Sequence, residues 1–191
     1  ASVGQYTFTN NPDIYYTSTA TGFGTDTNDT VALKDLHVAS GPERAYQIGF
    51  EYRDPDFWNF GLTTNYFSNA YIDASNIRRT SNFLRDVDGQ PFNDYDPEVA
   101  KSLLKQTEID DYFLVNVTGG KSWRVGDYFI GFFATINNVL DETYITGGFE
   151  DSRRANYRSR LEESQRETPV FGDRLFFGPG TTYYINAYVR F

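Results

Sequence analysis

At 191 residues the chain is long enough for one domain with its own core, yet it combines 18% aromatic residues with a mean hydropathy of −0.54, an odd mixture for such a domain. A net charge of −9 excludes a nucleic-acid binder, which needs a concentrated Lys/Arg surface. With no Cys there is no disulfide framework, thiolate zinc site or cysteine nucleophile, and with His37 alone there is no multi-His metal site. No apolar run approaches the roughly 20 residues of a transmembrane helix, so any membrane span here is expected to be a strand. The opening Ala1-Ser-Val-Gly lacks an initiator Met, a basic region and an apolar region, and reads as a fragment or a processed chain.

In chain order, the first predicted element is a weak hairpin that pairs Tyr6 and Phe8 with Ile14 and Tyr16 across Asn10-Asn-Pro-Asp13. A long polar loop over 20–43 follows. The clearest alternation is 44–53, where Tyr46, Ile48, Phe50 and Tyr52 interleave with Gln47, Gly49, Glu51 and Arg53. After the turn signal Asp54-Pro-Asp56, the pattern resumes over 57–72. Trp58, Phe60, Leu62, Thr64 and Tyr66 lie on one face, with Asn59, Gly61, Thr63 and Asn65 on the other.

The second long loop, 73–110, carries Asp86-Val-Asp-Gly89 near Asn93 and Asp94. Its oxygen-rich composition suits a hard cation, but its register fails the EF-hand pattern, so it reads as a plain acidic loop. Asp96 as N-cap and Pro97 at N1 predict a short helix over 96–105, with Val99, Ala100, Leu103 and Leu104 on one face.

Strands follow at 111–124, with Phe113, Val115 and Val117 in alternation, and at 127–146, with Tyr128, Ile130, Phe132, Ala134 and Ile136. Gly119-Gly-Lys-Ser122 resembles the end of a phosphate-binding loop, but Val115 stands where that motif needs Gly, and the segment is predicted as strand. In the third long loop, 147–180, six arginines from Arg153 to Arg174 are matched by six acids from Glu150 to Asp173, which predicts internal pairing on a solvated loop. The last strand is 181–191. Tyr183, Ile185, Ala187, Val189 and Phe191 lie on one face, with Tyr184, Asn186, Tyr188 and Arg190 on the other.

About seven strands result, with connections that alternate between short turns and long loops. Transmembrane β-barrels have that alternation, with short periplasmic turns and long extracellular loops. The expected lipid-facing residues are Tyr46, Ile48, Phe50, Tyr52, Trp58, Phe60, Leu62, Ile130 and Phe132, and Tyr52, Trp58, Tyr112, Tyr128 and Tyr183 would form interfacial girdles. The alternative all-β reading is a soluble β-sandwich, an extracellular adhesin or carbohydrate-binding module, in which the aromatics fill a core or form a sugar platform.

Catalytic chemistry has no candidate. Asp110-Asp111 and Glu162-Glu163, if on strands, would point to opposite faces, and His37 has no orienting partner in the sequence. No cofactor or metal is expected. The tripeptides starting at Asn28 and Asn116 match glycosylation acceptors and read as chance matches.

Ala134-Thr-Ile-Asn-Asn-Val-Leu-Asp-Glu-Thr-Tyr-Ile145 resembles the penultimate strand of TonB-dependent outer-membrane receptors, with Leu140 where an aromatic is more usual. Gly41-Pro-Glu-Arg-Ala-Tyr-Gln-Ile-Gly-Phe50 resembles an upstream strand of such receptors in Bacteroidota-like bacteria. The resemblance runs from about residue 41 to the end of the chain. It implies the C-terminal third of an antiparallel transmembrane β-barrel of about 22 strands in a bacterial outer membrane, active in TonB-dependent nutrient uptake. The implied partners are the lipid bilayer, the remaining barrel strands and plug, TonB through a part outside this sequence, and an outer-membrane lipoprotein. Tyr183, Ile185, Ala187, Val189 and Phe191 would then form the barrel-closing strand and the assembly signal. A passive porin-like barrel is the other membrane reading. Seven strands cannot close a barrel of the even-numbered kind, so the sequence predicts partner strands from elsewhere.

Overall fold

The computed structural model describes residues 1–18 and 25–191; residues 20–24 of the predicted loop 20–43 lie outside it. Among the described residues, twelve strands and two α-helices follow in chain order. They are β1 (Ser2–Val3), β2 (Asp13–Ser18), β3 (Thr25–Thr30), β4 (Arg44–Arg53), β5 (Trp58–Ser68), β6 (Ala70–Tyr71), α1 (Pro97–Leu103), β7 (Glu108–Ile109), β8 (Tyr112–Val125), β9 (Tyr128–Asn137), β10 (Ile145–Phe149), α2 (Tyr157–Ser164), β11 (Arg174–Phe177) and β12 (Thr182–Arg190).

Six strands form one antiparallel sheet in the order β1-β4-β5-β8-β9-β12, and the other six form three two-stranded pairs. The large sheet is open and does not close into a barrel. Two tight turns join its strands at one end. In the first, Asp54 accepts the Phe57 amide and its carboxylate accepts the Asp56 amide at 2.8 Å. In the second, a two-residue loop sets Gly126 at φ 64, a conformation that glycine adopts without a Cβ penalty. The three long connections gather at the other end.

Those connections carry the packed interior. Every buried apolar residue among those described lies in them or in the short strands β6 and β7, and none lies in the six-stranded sheet. One cluster holds Phe83, Phe92, Ala100 and Tyr157, a second Val31, Leu33 and Ala74, and a third Ala70, Ile72 and Ile109. This inverts the usual arrangement, in which a sheet covers its own core. The connections form a folded loop layer, and the sheet faces are left open.

The predicted helix at 96–105 is α1, with Pro97 leading and the Asp96 carboxylate accepting the Glu98 and Val99 amides. Four expectations are corrected. The first hairpin does not form as predicted: β2 pairs with β3, while Thr7 bridges His37 and Phe8 exchanges backbone hydrogen bonds with Asp35 and Leu36. This pairing belongs to the loop layer, so six strands rather than seven share the sheet. The 147–180 connection contains α2 and the pair β10–β11, and Glu150, Asp151 and Glu163 are buried rather than solvated. Glu162-Glu163 sits on a helix and Asp110-Asp111 between strands, so strand alternation does not separate either pair.

The fourth correction concerns Tyr112. It pairs with Phe67, its ring stacks on Tyr144 with centroids 4.7 Å apart, and it faces away from Phe113 and the other proposed girdle residues. Strand alternation at Phe113 decides its side.

Candidate functional site

Cross-strand partners share a face, so the register sorts the sheet residue by residue. Tyr46, Ile48, Phe50 and Tyr52 on β4 stand opposite Tyr66, Thr64, Leu62 and Phe60 on β5. The rows continue from Leu62 to Val117, Ile136 and Tyr183, and from Trp58 to Lys121, Phe132 and Ala187. Ile130 pairs with Val189 in the next row. All nine residues nominated as lipid-facing therefore lie on one face, with Tyr183, Ile185, Ala187 and Val189. Phe191 follows just past the end of β12 and is the most exposed large apolar residue among those described, at 97%.

Nothing among the described residues covers this face. The nine side chains range from 38% exposed for Leu62 and Phe132 to 74% for Ile48. Full burial of such a side chain contributes roughly 1.5–3 kcal/mol. At half that value the nine together reach ~10 kcal/mol, comparable with the whole net stability of a domain. An apolar surface of this size marks a contact with something else. The charged residues among the paired positions of this face are two, Arg44 opposite Ser68 at the long-connection end and Lys121 near the short-turn end. The Lys121 ammonium sits 4.9 Å over the Trp58 ring and donates to the Asp56 carbonyl.

The opposite face is mostly polar, with Phe67, Leu114, Phe129 and Phe133 interspersed, and closely fitted. Gln47 donates to Asn65 at 2.9 Å, and the Tyr188 hydroxyl meets Ser122 at 2.5 Å across Gly131. A Cβ at Gly131 would lie 2.7 Å from the Tyr188 ring, so glycine here makes room for an aromatic neighbour.

Both edges of the sheet are open. β1 pairs only with Arg44 and Ala45, which leaves β4 from Tyr46 to Arg53 without a partner on that side. β12 pairs with β9 over nine residues and has no partner among the described residues on its other side. Long edges with an apolar face are templates for further pairing.

The segment after β9 positions β12. Asn138, buried at φ 51, accepts the Glu142 amide, and its side-chain amide donates to the Glu142 and Pro179 carbonyls. Asp141, at φ 53, accepts the Thr181 amide at 2.9 Å. Asn and Asp tolerate this left-handed conformation better than other side chains. The Asn137-to-Tyr144 motif is thus a clamp that sets where the last strand begins, and Tyr144 packs where a Cβ on Gly178 would collide with its ring.

Across the loop layer runs a buried ionic network. Arg79 donates to both oxygens of Glu150, at 2.5 and 2.7 Å, and Glu150 also accepts the Ser75 amide at 2.9 Å. Arg78, 2% exposed, lies 3.7 Å from both Glu150 and Asp173. His37, for which the sequence offered no orienting partner, has two: its Nδ1 is 2.9 Å from Glu43, and its ring stacks on Tyr71 with centroids 3.8 Å apart. The Asp86 carboxylate is taken up by the amides of Asp88 and Gln90 in its own turn. Among the described residues no group of three or more His, Cys, Asp or Glu is placed to hold a metal ion.

Several loop carboxylates are held in the charged form. The Arg153 guanidinium, against the effect of burial and with help from the Arg153 amide and the charge of Arg174, holds Asp151 well below its ordinary 3.8. Burial pushes Glu43 up, but hydrogen bonds from His37 and the Tyr6 amide, with the charges of His37 and Arg44, bring it below 4.5. The amide of Phe171, followed by that of Val170, lowers Glu163 despite its burial. A carboxyl with a depressed folded pKa stabilises the fold above its unfolded pKa and loses that contribution as pH falls through the folded value. The loop layer is therefore expected to hold its full stability near neutrality and to lose it on acidification below the ordinary carboxylate values. Near-UV circular dichroism of the buried Tyr157 environment, followed through an acid titration, checks this; a signal that stays unchanged well below the ordinary carboxylate values contradicts it.

Comparison of the chain with protein-family models, with curated proteins and with solved structures returns no match.

Proposed function

We propose that the six-stranded sheet is a segment of the wall of a larger outer-membrane β-barrel, and that the complete barrel imports a nutrient in a TonB-dependent manner. The observation that carries the wall reading is the register, which collects most of the sheet's apolar residues onto one uncovered face opposite a mostly polar, glycine-containing one. Lipid would cover the first face and a wet lumen would meet the second. Ten-residue strands at ~3.3 Å per residue, tilted by ~40°, rise ~25 Å, the height of the apolar band of such barrels. The two open edges call for further strands, because unpaired backbone groups are not tolerated in lipid. The loop layer, packed at one end, is the counterpart of the extracellular loops. The transport part rests on the resemblance at Ala134–Ile145 and Gly41–Phe50.

A β-sandwich needs a second sheet on the apolar face, and the three small strand pairs leave that face exposed.

Membrane extraction tests the wall reading. The complete protein is expected to sediment with outer membranes, to resist carbonate extraction and to need detergent to stay monodisperse. A monodisperse, detergent-free protein in the aqueous phase overturns it. Import is tested separately in cells that need the protein for uptake: collapse of the inner-membrane proton gradient abolishes TonB-dependent uptake and leaves passive porin flux in place.

A further inference from the structure

The loop layer holds a second feature, independent of the barrel reading. The protein contains four lysines, and three of them, Lys34, Lys101 and Lys105, line one cleft of about 710 Å³. Lys101 lies on α1, Lys105 just beyond it, and Lys34 on the segment after β3. None of the three forms an ion pair among the described residues, whereas seven arginines of the loop layer, from Arg78 to Arg174, are each paired with a carboxylate. In a chain of net charge −9, three of the positive charges of this layer that have no carboxylate partner thus share one cleft, while Arg85 and Arg160, which donate to the Gly89 and Phe171 carbonyls, lie outside it.

The cleft walls are bonded to each other. Buried Gln106 donates to the carbonyls of His37 and Ile72, at 2.8 and 2.9 Å, and accepts the His37 amide at 2.9 Å. Arg79 donates to the Leu104 carbonyl at 2.9 Å, and its own carbonyl accepts the Ala32 amide at 2.8 Å. These bonds hold the lysine-bearing segments together, so the three lysines line one cleft on a fixed frame. Arg79 is neutralised by Glu150, and Glu98 is the one acid on the wall, so three lysines against one glutamate leave two positive charges. Ala32, Leu36 and Leu104 make the rest of the lining largely apolar.

Two uncompensated charges match a phosphate monoester, which carries about −1.5 to −2 at pH 7. The apolar wall matches a ligand with a hydrocarbon or aromatic body, the usual division of labour in a small-molecule site. We propose that this cleft binds an organic phosphate, with the phosphate between Lys34, Lys101 and Lys105 and the apolar portion against Leu36 and Leu104. A soluble phosphate ester and the phosphate of a lipid headgroup share this chemistry.

The test is calorimetric titration of the complete, detergent-solubilised protein with phenyl phosphate, inorganic phosphate and phosphatidic acid in mixed micelles. Phenyl phosphate is expected to bind once per chain, about tenfold or more tighter than inorganic phosphate, and more weakly as salt is raised. The combined Lys34→Gln, Lys101→Gln, Lys105→Gln variant should lose about tenfold or more in affinity. The corresponding triple arginine variant should keep binding, and Lys121→Gln, at the far end of the sheet, should bind as the unaltered protein does. All three lysines are exposed, so an unchanged melting temperature verifies that the glutamine variant is folded. Displacement of phenyl phosphate by phosphatidic acid assigns the site to a lipid headgroup, and failure to displace assigns it to a soluble ester. Undiminished binding by the glutamine variant, or equal affinity for phenyl and inorganic phosphate, overturns the proposal.

Discussion

Replacing Glu150 with alanine is expected to destabilise the loop layer by about 3–5 kcal/mol, the usual cost of removing one partner from a buried ion pair. Glu150 is 4% exposed and holds Arg79 through both oxygens, while Arg78 stands 3.7 Å away with its own side chain 2% exposed. Alanine would leave two guanidinium groups buried with only Asp173, at 3.7 Å from Arg78, as counter-charge, and would strand the Ser75 amide. The pair joins the 69–111 connection to the 138–181 connection, so its loss separates two of the three segments that build the layer. Hydrogen exchange should quicken across residues 72–80 and 148–152 while the β5, β8 and β9 amides keep their protection. Replacing both partners, Arg79→Met with Glu150→Leu, should cost less than Glu150→Ala alone, because no charge is then left unpaired. Equal protection in Glu150→Ala and the unaltered protein would show that the network contributes little.

The contrast between sheet and loop layer also explains what the sequence reveals. Strand alternation is a local signal of period two, so the faces of β4, β5, β9 and β12 are readable from Tyr46 onwards, and the register then aligns them. Local chemistry likewise announces α1, where Asp96 and Pro97 stand together. By contrast, Arg79 and Glu150 are 71 residues apart, and six arginines against six acids in 147–180 suggest pairing within that loop. Arg153, Arg154, Arg166 and Arg174 do pair there, yet Glu150 is claimed from outside and Arg158 reaches out to Asp94. Helix α2 is hidden because Arg-Ser-Arg-Leu-Glu-Glu-Ser has no apolar stripe, although Asn156 does cap it. The lysine cleft was not legible either: Lys34 and Lys101 are brought together by Gln106 and Arg79, through bonds that no local pattern encodes.

The open sheet face gives the sharpest test because water and lipid predict costs of very different size there. Ile48 sits midway along β4, 74% exposed, with no charged residue in its cross-strand row. If that face meets water, Ile48→Arg changes stability by no more than ~0.5 kcal/mol, as surface substitutions do, and improves solubility. If it meets the bilayer near its midplane, the same change costs about 2–4 kcal/mol. At Tyr128, beside the Gly126 turn and 52% exposed, arginine should cost about 0–1 kcal/mol in the bilayer, because the side chain reaches the interface. The depth-dependent difference separates a lipid-facing wall from a face covered by another protein, since a protein contact would penalise Ile48 and Tyr128 according to their packing rather than their height. Denaturant unfolding of the complete protein from lipid vesicles measures both values. A neutral Ile48→Arg in vesicles would remove the physical basis for a membrane-spanning wall, while a large cost there with little at Tyr128 would give the sheet both its solvent and its depth.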